Sequence, residues 1–158
     1  MRIIGIDPGL HTAGYAVLEG RSGAIKAVDY GAIRTSSGLE LPARLAIIYN
    51  EVSELIDMYN PSEIAVEELF FGRNMTTAFT VGQARGVFLL AAEQKGLAYF
   101  QYTPLQVKQA VSGYGRAGKQ QVQQMVKMLL ALEAVPKPDD VADALAVGIC
   151  HLQNRKLP

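Results

Sequence analysis

Asp7 closes the short apolar run Arg2–Ile6 directly before Pro8-Gly9, and Glu67 and Glu68 lie in a stretch, Ser62–Leu69, that otherwise reads as an interior strand. Asp140 and Asp143 stand three apart in Asp-Val-Ala-Asp-Ala-Leu, a spacing that puts both on one face of a helix. Val141, Ala142, Ala144, Leu145, Ala146 and Val147 around them mark that helix as largely buried. Buried acids are costly unless paired or bound to metal. No run of basic residues beside them in sequence supplies counter-ions. A hard divalent cation held by oxygen donors resolves the charge, and Mg²⁺ takes few carboxylates while keeping waters for substrate. Two such ions about 4 Å apart can activate a water and stabilise the leaving oxygen of a phosphodiester.

Each acid also has a plainer role. Asp7 can be a turn residue before Pro-Gly, Asp139 or Asp140 can cap a helix, and Glu67 and Glu68 can face water at a strand edge. Their joint occurrence in the order strand, strand, helix is what favours a metal site. Alternation alone chooses neither between Glu67 and Glu68 nor between Asp139 and Asp140. His11 and His151 lack metal-ligand spacing and read as structural or exposed, and Cys150 reads as a small core residue. Gly113–Lys119 departs from a phosphate-binding P-loop, because Lys119 precedes Gln120 rather than Ser or Thr.

The elements that must hold these residues follow from periodicity. Arg2–Ile6, Gly14–Glu19 and Ile25–Thr35 read as strands of an antiparallel meander. Leu45, Ile48, Val52, Leu55 and Tyr59 recur at helical spacing, so a helix runs from about Pro42 to Tyr59 and stops at Asn60-Pro61. Ser62–Leu69 reads as a buried strand, Thr76–Gln94 as a helix, and Tyr99–Tyr102 as a short strand. Thr103-Pro104 opens a helix to about Val111. Ser112–Gly118 reads as a mobile loop, Gln120–Leu132 as a helix, and the last helix runs from Asp139 or Asp140 to about Asn154. The expected fold is α/β: a mixed five-stranded sheet, an antiparallel meander joined to parallel strands, flanked by helices.

With 158 residues, 49% of them hydrophobic, and no dividing linker, the chain suits one domain over 1–158 and excludes disordered and fibrous classes. The start, Met1–Asp7, meets a charge too soon for a signal peptide, and no apolar run approaches the roughly 18 residues of a membrane span. One cysteine excludes an internal disulfide framework. A cytoplasmic protein without membrane attachment is the expectation. Net charge is zero, yet Gln94–Leu132 carries Lys95, Lys108, Arg116, Lys119 and Lys127 and no acid. That stretch can present a positive field to nucleic acid.

Ile4-Gly5-Ile6-Asp7-Pro8-Gly9 with Gly14-Tyr15, then Ala65–Phe70, Gly82–Gly86, Gln106–Gln109 and Asp140–Ala146, together resemble the RuvC crossover-junction endodeoxyribonucleases. These blocks span nearly the whole chain in the family's order; the first alone is shared with many ribonuclease-H-like proteins. The resemblance implies a ribonuclease-H-like fold and a homodimer that resolves four-way (Holliday) DNA junctions in recombination and repair. Paired symmetric nicks would leave 5′-phosphate and 3′-hydroxyl ends. It assigns catalysis and metal binding to Asp7, Glu67, Asp140 and Asp143, with two Mg²⁺ ions per site and Mn²⁺ as a substitute. It matches Lys108 and Lys119 to basic positions near the substrate and Phe70 to an aromatic that handles bases at the crossover. Arg73, with Asn74, begins the next helix and could meet phosphate; Phe71 reads as packing. The family also implies a branch-migration motor complex as partner, a bacterial source, and dimer contact through the small-residue stripe of Thr76–Ala92. Two rival readings are a junction-binding scaffold without chemistry, against which the intact acids count, and an actin-like kinase, for which the chain has no room for a second lobe.

Overall fold

A computed structural model describes residues 1–69, 72 and 74–155. Phe70, Phe71 and Arg73, to which the sequence assigned DNA contact or packing, lie outside the described residues. Strands β1 (Arg2–Asp7), β2 (Thr12–Arg21) and β3 (Ala24–Arg34) form the meander, followed by helix α1 (Leu41–Tyr59) and strand β4 (Glu63–Glu67). Helix α2 (Met75–Gln94), strand β5 (Ala98–Tyr102) and helices α3 (Pro104–Ser112), α4 (Lys119–Leu129) and α5 (Asp139–Asn154) complete the order. The sheet runs β3-β2-β1-β4-β5. β1 pairs antiparallel with β2 and parallel with β4, and β4 pairs parallel with β5.

Alternation along the central strands sorts the core into two layers. Ile3, Ala16, Leu18 and Ala65 pack under α5, α3 and α4. Ile4, Ile6, Val17, Ile64 and Val66 face Ile48 and Val52 of α1 and Phe88 of α2. In α2 the small-residue stripe divides: Ala78 and Ala84 are buried in its own core, whereas Gly86 is exposed beside exposed Phe79 and Leu90.

Several boundaries differ from the sequence reading. β4 ends at Glu67 rather than Leu69, although the Glu68 amide still donates to the Tyr102 carbonyl at 2.8 Å. Asn74 is not the first helical residue but the N-cap of α2; its side-chain oxygen accepts from the Thr77 amide. Neither Asp139 nor Asp140 caps α5, because Pro138 holds that position and both acids fall in the first turn. α4 ends at Leu129, three residues early. Ala131 then takes a positive φ of 50°, and the Leu132 amide turns back to the Lys127 carbonyl.

Candidate active site

Parallel pairing sets Ile6 of β1 beside Val66 of β4, so Asp7 and Glu67 end neighbouring strands at the same edge. Ile3 and Ala65 point toward α5, and a period of two carries that orientation on through Gly5 to Asp7 and from Ala65 to Glu67. Glu68 falls out of phase, beyond the strand, and is exposed. Of the two glutamates, this register brings Glu67 beside Asp7 and leaves Glu68 turned to solvent.

α5 brings the remaining acids to the same edge. It lies so close on the sheet that a Cβ on Gly14 would come within 1.8 Å of the Asp140 carbonyl oxygen, and one on Gly5 within 2.6 Å of the Ala144 oxygen. Glycine at these two positions therefore sets how near the first turn of α5 comes to β1 and β2. Asp140 projects from that turn and Asp143 from the next, each partly buried like Asp7 and Glu67.

The electrostatics are those of crowded like charges. Asp7 lies within hydrogen-bonding reach of Glu67 and of Asp143. Burial, then the charges of Glu67, Asp143 and Asp140, push its pKa up to about 9. Burial also raises Glu67, as does the charge of Asp143, while the hydrogen bond from Asp7 and the ammonium groups of Lys108 and Lys119 pull it down. Asp143 is raised by burial, opposed chiefly by Lys119. Among the described residues, no three acidic, histidine or cysteine side chains already converge as a ready cage for an ion. The donor set nonetheless fits a hard cation: it is all carboxylate oxygen, and its repulsion is what a divalent ion would relieve.

A cleft of about 250 Å³ joins Glu67 and Asp143 to Lys108 and Lys119. A second, of about 650 Å³, opens on the other side of Glu67 and is lined by Asp7, Leu69 and Thr77. Both basic residues singled out in the sequence thus stand at the acidic cluster. The wider basic stretch is more dispersed than its charge count implies. Lys95, at the end of α2, pairs with Asp57 at 2.7 Å, and Lys119 with Asp139 at 2.9 Å. Sequence reasoning missed Arg44, which lines a third cleft beside Asp140, His11 and Thr77. Its only signal was a place on the polar side of α1.

A buried polar group also lies far from the acids. His151, fully buried, meets Glu63 through Nε2 at 2.6 Å and the Tyr102 hydroxyl through Nδ1 at 2.9 Å. The Arg155 guanidinium donates to the other Glu63 oxygen at 2.8 Å. This group fastens the C-terminal end of α5 to the opposite edge of β4, and burial holds His151 below the ordinary histidine range.

A mixed sheet in this strand order, with acids at the ends of its two central parallel strands and on the helix crossing them, defines the ribonuclease-H-like class of nuclease fold. The family model described as "Crossover junction endodeoxyribonuclease RuvC" matches residues 3–151. The RuvC of Brevibacillus brevis is 54% identical over 98% of this chain and 93% of its own. That of Halothermothrix orenii is 56% identical over 99% and 95%. The structure of Thermus thermophilus RuvC in complex with Holliday junction substrate superposes with a TM-score of 0.91 at 36% identity, covering 96% of this chain and 92% of that one. The chain belongs to the RuvC family.

Proposed function

We infer that this chain is a structure-selective endodeoxyribonuclease that resolves four-way DNA junctions in recombination and repair. The RuvC family consists of metal-dependent nucleases acting on DNA phosphodiester bonds. Here Asp7, Glu67, Asp140 and Asp143 would hold the cation, with magnesium as the ion, two per site, and manganese able to replace it. When bound, it supplies an activated water and a counter-charge for the leaving oxygen. The chain's own part is positional. Asp7, on the central strand, stands between Glu67 and the helical acids, while Lys108 and Lys119 face the same cleft and offer ammonium groups to a phosphate. In-line attack by water leaves a 5′-phosphate and a 3′-hydroxyl.

The observation that carries this reading is the meeting of Glu67, Asp143, Lys108 and Lys119 in one cleft of a RuvC-family chain. Acids alone would repel DNA. Lysines on the rim of the same cleft reverse that at the point where the strand must lie. A homodimer suits a substrate with two equivalent strands, since one self-complementary interface presents two sites. The exposed Phe79, Leu90 and Gly86 of α2 are the surface we assign to it. A branch-migration motor is the further partner we assign by family. Among the described residues, no helix is long and apolar enough to cross a membrane. The test is cleavage of a labelled synthetic junction beside a linear duplex of the same arm sequence, with Mg²⁺ and with chelator. Paired symmetric nicks in the junction alone, lost on chelation, are expected. Binding without nicks on any sequence would leave a scaffold, and no binding would end the assignment.

A further inference from the structure

Lys119 is the first residue of α4, where the helix dipole disfavours a cation. Gly118 precedes it as an N-cap without a side chain, and Gly113 and Gly115 lie just upstream. Nothing in α4 itself therefore fixes the ammonium over the cleft. Asp139 does. Its Oδ2 is 2.9 Å from Lys119 Nζ, and its Oδ1 accepts from Gln123 Nε2 at 3.2 Å. Lys119 and Gln123 are one helical turn apart on α4, so this carboxylate bridges from α5 to one face of α4. Lys119 lines the cleft with Glu67 and Asp143, whereas Asp139 is not among the residues that line it.

We propose that Asp139 is a positioning residue for Lys119, holding its ammonium at the rim of the acidic cleft where the scissile phosphate lies, without touching substrate. This deepens the nuclease reading and rests on it. Without the tether, the ammonium would be drawn onto Glu67 and Asp143, where it competes for the very carboxylates that bind the cation, or swing into solvent. Either way a phosphate meets a displaced charge. Both side chains of the pair are about half exposed, so its contribution to folding is small and its effect belongs in the reaction.

The test measures single-turnover cleavage and junction affinity for the wild type, Asp139→Ala, Asp139→Glu, Lys119→Ala and the double variant at saturating Mg²⁺. Asp139→Ala is expected to slow cleavage about tenfold, the scale of a displaced catalytic contact, with affinity within about twofold of the wild type. Asp139→Glu should recover part of the rate. The double variant should cut no more slowly than Lys119→Ala, because Asp139 acts only through that lysine. Two results overturn the proposal: wild-type cleavage by Asp139→Ala, or losses that multiply in the double variant, which would make Asp139 a ligand in its own right. A wild type that nicks no junction defeats the nuclease reading itself, a failure the other outcomes cannot imitate.

Discussion

Among single residues, Asp7 carries the sharpest consequence. It is raised to about 9 by burial and by three neighbouring acids, so replacing it with a neutral isostere removes both a metal ligand and the cost of keeping that carboxyl protonated in the folded state. Asp7→Asn should therefore abolish junction cleavage while leaving binding largely intact, measured on the same labelled substrate. In the presence of chelator it should also be more stable than the wild type, by on the order of 1–3 kcal/mol in denaturant unfolding. The pH dependence has a definite sign. A carboxyl whose folded pKa is raised keeps its proton in the native state while the unfolded chain has lost it. Metal-free stability is then greatest at low pH and falls as pH rises through the folded value. Chelated wild-type protein should melt at a lower temperature at pH 9 than at pH 7, and Asp7→Asn should flatten that slope. Confining the scan to pH 7–9 separates it from His151. That ring, held below its ordinary value by burial, costs stability only when pH falls below about 6.5 and the unfolded chain takes up a proton. Asp7 was legible only together with the other acids, because its place before Pro-Gly suits a turn residue equally well. Glu67 was not separable from Glu68, because β4 is buried on both faces and its apolar residues give no phase.

At the scale of elements, α5 connects the two ends of the fold. Its first two turns present Asp140 and Asp143, and its last turn carries His151 into the Glu63 and Tyr102 group. The eight residues from Asp143 to His151 span about 12 Å of helix, so the two ends can be damaged separately. His151→Ala should destabilise the protein by about 3 kcal/mol, since it leaves Glu63 buried without one of its partners. Folded molecules should still cut near the wild-type rate, as checked by unfolding and by cleavage normalised to folded protein. Gly14→Ala acts at the other end. A Cβ there would meet the Asp140 carbonyl at 1.8 Å, so the first turn of α5 must lift and carry its acids away. We expect loss of cleavage by 100-fold or more, in keeping with misplacement of about 1 Å, together with a lower melting temperature. The element order was readable because caps, proline stops and periodicity agree, as the capping box of Thr103 and Gln106 illustrates. The Glu63–His151 link was not. It joins residues 88 apart in sequence whose meeting depends on strand order, and a histidine in an apolar helix gives no sign of a partner.

For the molecule as a whole, zero net charge coexists with a function that requires holding a polyanion. The resolution lies in where the cations are spent. Lys95 is taken up by Asp57 at the far end of α2, and Lys119 is shared with Asp139. Lys108 lines the acidic cleft and makes no ion pair among the described residues. It therefore enters a complex with its full charge available to a phosphate, whereas Lys119 enters with part of its charge already offset by the Asp139 carboxylate that holds it in place. Counterion release makes this difference measurable, because each phosphate neutralised adds about 0.9 to the slope of log affinity against log salt on duplex DNA. Lys108→Ala should weaken binding alike for junctions of different sequence and reduce that slope by about one. Asp139→Ala, which leaves every lysine in place, should not reduce it. A slope unchanged by Lys108→Ala would show that this ammonium meets no phosphate and serves only to temper the charge of Glu67, the group whose pKa it already lowers.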